Sequence, residues 1–131
     1  MYLIQKRIHK QAIKSGWWDK PRSPLEIHAL IHSEISEATE EARKGTPPIY
    51  KSTEIHTRDS VDEHIITPDA PEWDSDYWKT EKPEGEAVEL ADALIRILDY
   101  AEYKGWDMKE IIDRKLNYNA TRPYRHGGKR Y

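Results

Sequence analysis

The chain of 131 residues contains no cysteine. This absence excludes a disulfide framework, a thiolate nucleophile and a cysteine-based zinc site. No apolar run approaches the ~20 residues that span a bilayer, and the N-terminal residues lack the apolar stretch of a signal peptide. These features predict a cytoplasmic protein without a membrane partner. The net charge of -3 is too small to indicate nucleic acid as a partner.

The motifs of the common nucleotide-binding folds are also missing. The chain has neither the loop G-x-x-x-x-G-K-[ST] nor G-x-G-x-x-G after a strand, and nothing indicates a Ser–His–Asp arrangement. His28 and His32 have the spacing of zinc ligands, but no obvious third ligand accompanies them. The absence of any Glu-x-x-His argues against a di-iron bundle. Any chemistry must therefore come from other side chains.

Apolar periodicity and capping residues predict an all-α fold with four helices. Their expected bounds are 2–15, 24–44, 85–104 and 108–120. Ser23, followed by Pro24 and Glu26, has the pattern of a capping box at the start of the second helix. Hydrophobic residues make up only 37% of the chain. Because so thin a core stabilises a small domain weakly, we expect the bundle to be completed by oligomerisation.

The length predicts a single domain over residues 1–131. A long irregular insert between the second and third helices, residues 46–84, carries prolines and charges without period. Such a connection is typical of a functional or mobile segment, for example a lid. Alternating residues near its start predict a strand pair, Tyr50–Ile55 with Glu63–Thr67. A basic tail, residues 123–131, closes the chain.

The third helix carries an unusual polar stripe. Between Ala87 and Ala101 the only polar side chains are Glu89, Asp92, Arg96 and Asp99, at steps of three and four residues. A helix that is otherwise apolar all round should be buried, and buried carboxylates are normally paired or bound to a cation. Arg96 can neutralise Asp92 or Asp99 but cannot serve the whole stripe, so a further positive partner is expected.

The second helix presents a matching row, Glu34, Glu37 and Glu41. Facing carboxylate pairs make a cage of hard oxygen ligands, which suits a polynuclear Mg²⁺ or Mn²⁺ site. A solvated face would explain the second helix alone, but not the third, whose flanks are apolar. The predicted ligands are Glu34, Glu37, Glu89 and Asp92. The residues expected to support them are Glu41, Arg96 and Asp99.

Two further groups could bind a nucleotide. Lys115 and Arg122 are two helical turns apart, so both can point at the same place if the helix continues to Arg122, and beside a metal cage they would hold a polyphosphate. A solvated basic tail is the alternative for the last residues, 125–131. Trp17 and Trp18 precede the second helix, where they would stack a nucleobase or plug the end of the bundle.

Taken together, these segments resemble a known family. Glu34-Ile-Ser-Glu37 followed by Glu89-Leu-Ala-Asp92 is similar to the E-x-x-E … E-x-x-D signature of the MazG-like, all-α nucleoside triphosphate pyrophosphohydrolases. The later segment Lys115-Leu-Asn-Tyr-Asn-Ala-Thr-Arg-Pro-Tyr agrees with it. The resemblance covers about residues 1–45 and 84–131, and the gap between the carboxylate pairs is much longer than in compact members of the family.

The resemblance implies a four-helix MazG-like bundle, assembled as a homodimer or homotetramer. It implies hydrolysis of a (deoxy)nucleoside triphosphate to its monophosphate and pyrophosphate, with two or more Mg²⁺ per site and Mn²⁺ as a substitute. Glu34 or Glu37 would orient or deprotonate the attacking water. The implied roles are metal ligands at Glu34, Glu37, Glu89 and Asp92, phosphate contacts at Lys115 and Arg122, and a sugar or base contact at Asn119. The paired tryptophans and the amide-rich tail favour a purine deoxynucleotide such as dGTP.

Two other functions stay open. One is a non-catalytic helical interaction module that binds Mg²⁺ and a nucleotide. The other is a structural bundle that keeps a buried network between Arg96 and aspartates without any ligand. Stabilisation by magnesium would separate the second alternative from the rest, because only a ligand of the native state raises the unfolding midpoint in this way.

Overall fold

The computed structural model describes residues 2–52, 82–125 and 130, and this part of the protein is mostly helical. The helices are α1 (Tyr2–Lys14), α2 (Pro24–Lys44), α3 (Glu86–Tyr103) and α4 (Met108–Ala120), and the strands are β1 (Tyr50–Ser52) and β2 (Lys82–Glu84). The four predicted helices are confirmed, with bounds that differ from the expected ones by about one residue at most. Among the described residues, no helix combines the length and apolar composition that crossing a bilayer requires.

Capping residues define the ends of α2. The Ser23 side chain accepts a hydrogen bond of 3.1 Å from the backbone N–H of Glu26, which satisfies one of the free donors at the helix start. Gly45 ends the helix in the left-handed region, at φ 72°, and its N–H donates to the carbonyl of Ala42. Because glycine adopts this conformation at little cost, the helix stops where the sequence predicted.

Two compact units divide the chain. The terminal unit comprises Met1–Pro21 and Ile97–Tyr131, and the central unit comprises Arg22–Arg96. The helix α3 therefore contributes its first part to the central unit and its last part to the terminal unit. The buried apolar residues are Ile27, Ala38, Tyr50 and Ala93 in the central unit, and Leu98, Tyr100 and Ala101 in the terminal unit. The single domain over residues 1–131 stays a prediction.

A buried glutamine organises the terminal unit. Gln5 on α1 has no exposed surface. Its Nε2 donates to Glu102 Oε1 at 2.9 Å and to the Trp106 carbonyl at 2.7 Å, while its Oε1 accepts from the Met108 N–H at 3.3 Å. Since buried polar groups are costly unless they are hydrogen-bonded, these contacts tie α1 to the turn between α3 and α4.

The strands of the central unit lie at the two ends of the long insert. They pair antiparallel, with Tyr50 opposite Glu84 and Ser52 opposite Lys82. The predicted partner strand, Glu63–Thr67, lies outside the described residues, as does the middle of the predicted insert, residues 53–81. Among the described residues, β1 pairs with the residues just before α3, and its predicted pairing with Glu63–Thr67 stays a prediction.

The apolar periodicity of the sequence predicts that Leu3 and Ile13 share the apolar face of α1 and that Ile111 and Leu116 of α4 point inward, but all four are exposed. Leu3 on α1 is 81% exposed, and Leu116 on α4 is 59% exposed. Ile13 and Ile111, on the same predicted faces, are exposed as well. The prediction of an inward apolar face is therefore wrong for these positions in the single chain, where α1 buries the polar Gln5 in preference.

We expect Gln5→Leu to lower the free energy of unfolding by about 1–3 kcal/mol, because it leaves the Trp106 carbonyl and the Met108 N–H without their partner. Urea unfolding followed by circular dichroism measures the change. Gln11→Leu on the exposed side of α1 is the matched control and should change stability by less than about 0.5 kcal/mol. Equal effects of the two substitutions would contradict the role assigned to Gln5.

Candidate metal centre

The site begins with the carboxylate row on α2. Glu34 is 8% exposed, although a glutamate is rarely so buried without a partner. Glu37, one turn further along, is exposed. Because α2 is capped at both ends and continuous between them, these carboxylates keep the spacing of successive helical turns.

The start of α3 supplies the second part of the site. Glu89 and Asp92 lie one turn apart on this helix, and both are half-buried. One carboxylate oxygen from each of Glu34, Glu89 and Asp92 lies within 4.8 Å of the other two. The structure thus brings together acids from the two separate segments that the sequence paired. Of the four predicted ligands, Glu37 is outside this triad but hydrogen-bonds with Glu89.

Burial and the neighbouring negative charges raise the pKa values of Glu89 and Asp92. Burial raises the pKa of Glu89 to about 7, and the hydrogen bond and negative charge of Glu37, together with the charges of Asp92 and Glu34, act in the same direction. Burial and the charge of Glu34 also raise the pKa of Asp92, against the opposing effect of the Arg96 charge. Both shifts show that the ionised forms of Glu89 and Asp92 are disfavoured, first by burial and then by the neighbouring negative charges.

Arg96 provides part of the missing charge. The sequence indicated that it can neutralise Asp92 or Asp99 on its own helix, and its charge does oppose the rise in the pKa of Asp92. In the structure its Nε donates to Glu34 Oε1 at 2.8 Å, an ion pair between α3 and α2 with little exposure of the glutamate. This pair explains how Glu34 is tolerated in a buried position.

The donor set fits a hard divalent cation. The triad offers only carboxylate oxygens, without the sulfur or imidazole ligands that favour zinc. Mg²⁺ and Mn²⁺ accept such oxygens and complete their coordination with water and with substrate phosphates. Glu34, Glu89 and Asp92 are the residues that could hold the ion, with Glu37 adjacent.

The two acids expected to support the ligands contact other residues. Glu41 accepts hydrogen bonds from the hydroxyl groups of Thr46 and Tyr50. Asp99, in the terminal unit, lies 2.7 Å from His9 Nδ1, and its two oxygens share a bifurcated hydrogen bond from the Trp18 Nε1–H, each at 3.0 Å. Neither contact is with a triad residue, so direct support of the metal ligands stays a prediction for both.

The predicted nucleotide contacts belong to the terminal unit. Trp18 stacks on Tyr103 with ring centres 4.0 Å apart, so one face of its indole is already covered, whereas Trp17 is exposed. Lys115 and Arg122 both lie over the ring of Tyr118, at 5.2 Å and 5.7 Å from its centre. These two cations therefore share one patch of the surface. Asn119, on α4, is half-buried. The phosphate, sugar and base contacts stay predictions.

Sequence reasoning missed the residues that connect the end of α2 to the start of α3. Tyr50 is buried, and its hydroxyl donates a hydrogen bond to Glu41. Gly85 lies directly before α3 at φ 122°. A signal for Gly85 was present, since a glycine between a strand and a helix often marks a close backbone approach. Nothing in the local pattern around Tyr50 indicated its partner.

In comparisons with protein-family models, with curated proteins and with solved structures, nothing matches this chain. The resemblance to the MazG-like enzymes thus rests on the motifs of the sequence.

The raised pKa of Glu89 predicts a pH dependence of stability. Between its ordinary value of 4.5 and about 7, the folded protein holds a proton that the unfolded chain has released. The free energy of unfolding therefore falls as the pH rises through this interval. We expect the Tm in a buffer that chelates metals to fall between pH ~5 and pH ~8, and Glu89→Gln to reduce this slope.

The difference between the pH profiles of the wild type and Glu89→Gln isolates the contribution of Glu89 from that of the other titratable groups. Glu86→Gln, on the exposed first turn of α3, is the matched control and should keep the slope of the wild type. If Glu89→Gln and Glu86→Gln have the same profile, the proton is not held at Glu89.

Proposed function

We propose that the protein is a Mg²⁺-dependent nucleoside triphosphate pyrophosphohydrolase of the MazG-like type. It converts a (deoxy)nucleoside triphosphate into the monophosphate and pyrophosphate. The observation that carries the proposal is the triad of Glu34, Glu89 and Asp92, three carboxylates from two helices within 4.8 Å of one another. The E-x-x-E and E-x-x-D motifs on which the family resemblance rests contain these same three residues.

The reaction adds water across the bond between the α and β phosphates. Divalent cations, when bound, would neutralise charge on the phosphate oxygens and lower the pKa of a bound water. The residues Glu34, Glu89 and Asp92 would hold these cations. We assign the orientation and deprotonation of the attacking water to Glu37, because it lies beside the triad without belonging to it.

In this scheme, the main role of Arg96 is to neutralise the charge on Glu34. Its Nε donates to Glu34 at 2.8 Å, which holds that carboxylate at the edge of the triad. The cations Lys115 and Arg122 are assigned to the triphosphate, and Asn119 with Trp17 and Trp18 to the sugar and base. Among substrates, dGTP and other purine deoxynucleotides are the first to examine.

The direct test incubates the protein with each nucleoside and deoxynucleoside triphosphate, with and without Mg²⁺ or Mn²⁺. Pyrophosphate and the monophosphate are the expected products. Release of orthophosphate alone would mean that another bond is cleaved. Stabilisation by Mg²⁺ without any product would favour a binding module, and no effect of Mg²⁺ would favour a structural bundle.

Asp92→Asn should abolish turnover, with a loss of about a hundredfold or more, because the amide is a poor ligand for a hard cation. Without metal the variant should be at least as stable as the wild type, since the raised pKa of Asp92 shows that its ionised form is disfavoured in the fold. Asp113→Asn, an exposed acid on α4 paired with Lys109, is the isosteric control and should keep full activity. Wild-type rates for Asp92→Asn would remove this residue from the site.

We also propose that a second copy of the chain covers part of α3. Leu90 and Leu94 lie one turn apart, are 42% and 54% exposed, and occupy the side of the helix turned away from Asp92. Leucines exposed along one side of a helix are typical of a surface that a partner covers. Together with the thin core, they support a homodimer or a homotetramer.

Light scattering after size-exclusion chromatography tests this arrangement. The mass measured for the wild type should be two or four times the chain mass of 15.4 kDa. Leu94→Glu should lower this mass, because it would bury a charge in the interface. Ser36→Glu, at an exposed position on α2, is the control and should leave the mass unchanged. A monomeric wild type would overturn the oligomer but leave the metal site to its own test.

A further inference from the structure

The last carboxylate of the α2 row joins the two helices of the metal centre. Glu41 Oε1 accepts a hydrogen bond of 2.9 Å from the Tyr50 hydroxyl, which also lies 3.0 Å from Oε2. Glu41 Oε2 accepts a bond of 2.6 Å from the Thr46 hydroxyl. Both oxygens are thus used, and the turn between Thr46 and Tyr50 is fixed against the end of α2.

This turn contacts the first residues of α3 directly. The Pro48 carbonyl accepts a hydrogen bond of 3.1 Å from the Ala87 N–H, one of the donors that a helix start leaves free. Gly85 lies so close to the Pro47 and Pro48 carbonyls that any added Cβ would overlap them. We call the set of Glu41, Thr46, Pro48, Tyr50 and Gly85 the clasp.

The clasp is close to the ligands along both helices. The Glu89 N–H donates to the Gly85 carbonyl at 3.0 Å, so Glu89 lies one helical turn beyond the clasp. Glu34 lies seven residues, about two turns, before Glu41 on the same face of α2. A shift or rotation of α3 at the clasp therefore changes the distance between the oxygens of Glu34 and Glu89.

We propose that Glu41 and Tyr50 are positioning residues of the metal centre. Through the Pro48 carbonyl they fix the place and rotation of α3, and thereby hold Glu89 and Asp92 opposite Glu34. The inference rests on the proposed function, since it assigns the clasp to the assembly of that site. Neither residue belongs to the triad of carboxylates that would hold the metal.

The chemistry of the clasp suits a constant geometry. Burial, the hydrogen bond to Glu41 and the charge of Glu41 raise the pKa of the Tyr50 phenol above its ordinary value of 10.0. The phenol therefore stays a neutral donor at every physiological pH. The bond to a carboxylate is charge-assisted and stronger than one between neutral groups. The clasp thus keeps its shape while the acids beside it exchange protons and cations.

Tyr50→Phe tests the proposal, because it removes the hydroxyl and keeps the buried ring. We expect the Mg²⁺ concentration for half-maximal thermal stabilisation to rise about tenfold. Glu41→Gln, which keeps one acceptor oxygen, should raise it less. Tyr100→Phe removes a hydroxyl from an equally buried tyrosine of the terminal unit and should leave the Mg²⁺ requirement unchanged.

A metal-free measurement separates this inference from the proposed function. Tyr50→Phe and Arg96→Gln, singly and together, form a double-mutant cycle in urea unfolding, because the Arg96–Glu34 pair also links α2 to α3. The proposal expects the shifts of the urea midpoint to be non-additive. If the wild type is not stabilised by Mg²⁺, the proposed function is overturned. The cycle then tests only whether the clasp and the Arg96–Glu34 pair hold α2 and α3 together. Two results would overturn the positioning role. If the wild type responds to Mg²⁺, the first is an Mg²⁺ requirement of Tyr50→Phe equal to that of the wild type. If the wild type does not respond, the second is additive shifts of the urea midpoint in the cycle.

Discussion

Repulsion between carboxylates is the constraint around which the central unit is built. Charges within 4.8 Å of one another repel by roughly 3 kcal/mol or more for each ionised pair at an effective dielectric constant of about 20. The fold meets this cost in two ways, with the Arg96 ion pair to Glu34 and with a proton retained near neutral pH by Glu89. A site that opposes folding in this manner is typical of function, because stability alone would select against it.

The helices and their carboxylate rows could be predicted from the sequence because both depend on local information. Capping residues and apolar periodicity act within a few residues of each helix end, and the spacing of Glu34 and Glu37, or of Glu89 and Asp92, follows from the helical repeat. The meeting of the two rows was also predicted, from the lack of enough positive charge along α3. That step used electrostatics and required no knowledge of the loop between the helices.

The pairings across long sequence distances could not be predicted in the same way. Arg96 donates a hydrogen bond to Glu34, 62 positions earlier in the chain, in addition to its electrostatic effect on Asp92 of its own helix. Asp99 continues the polar stripe of α3 but contacts His9 and Trp18. Each choice depends on which helix lies alongside, and the spacing of residues along one helix carries no such information. Periodicity likewise identified apolar faces on α1 and α4, but it could not show that Leu3 and Leu116 are exposed in the single chain.

The antiparallel pairing of β1 with β2 has a consequence for the length of the loop between α2 and α3. Ser52 and Lys82 are directly opposite each other, so the chain departs from and returns to a single point. This pairing already joins the two ends of the intervening segment, and each doubling of the length of a loop adds only about 0.6 kcal/mol of closure entropy. The geometry of the acids is then indifferent to how many residues intervene.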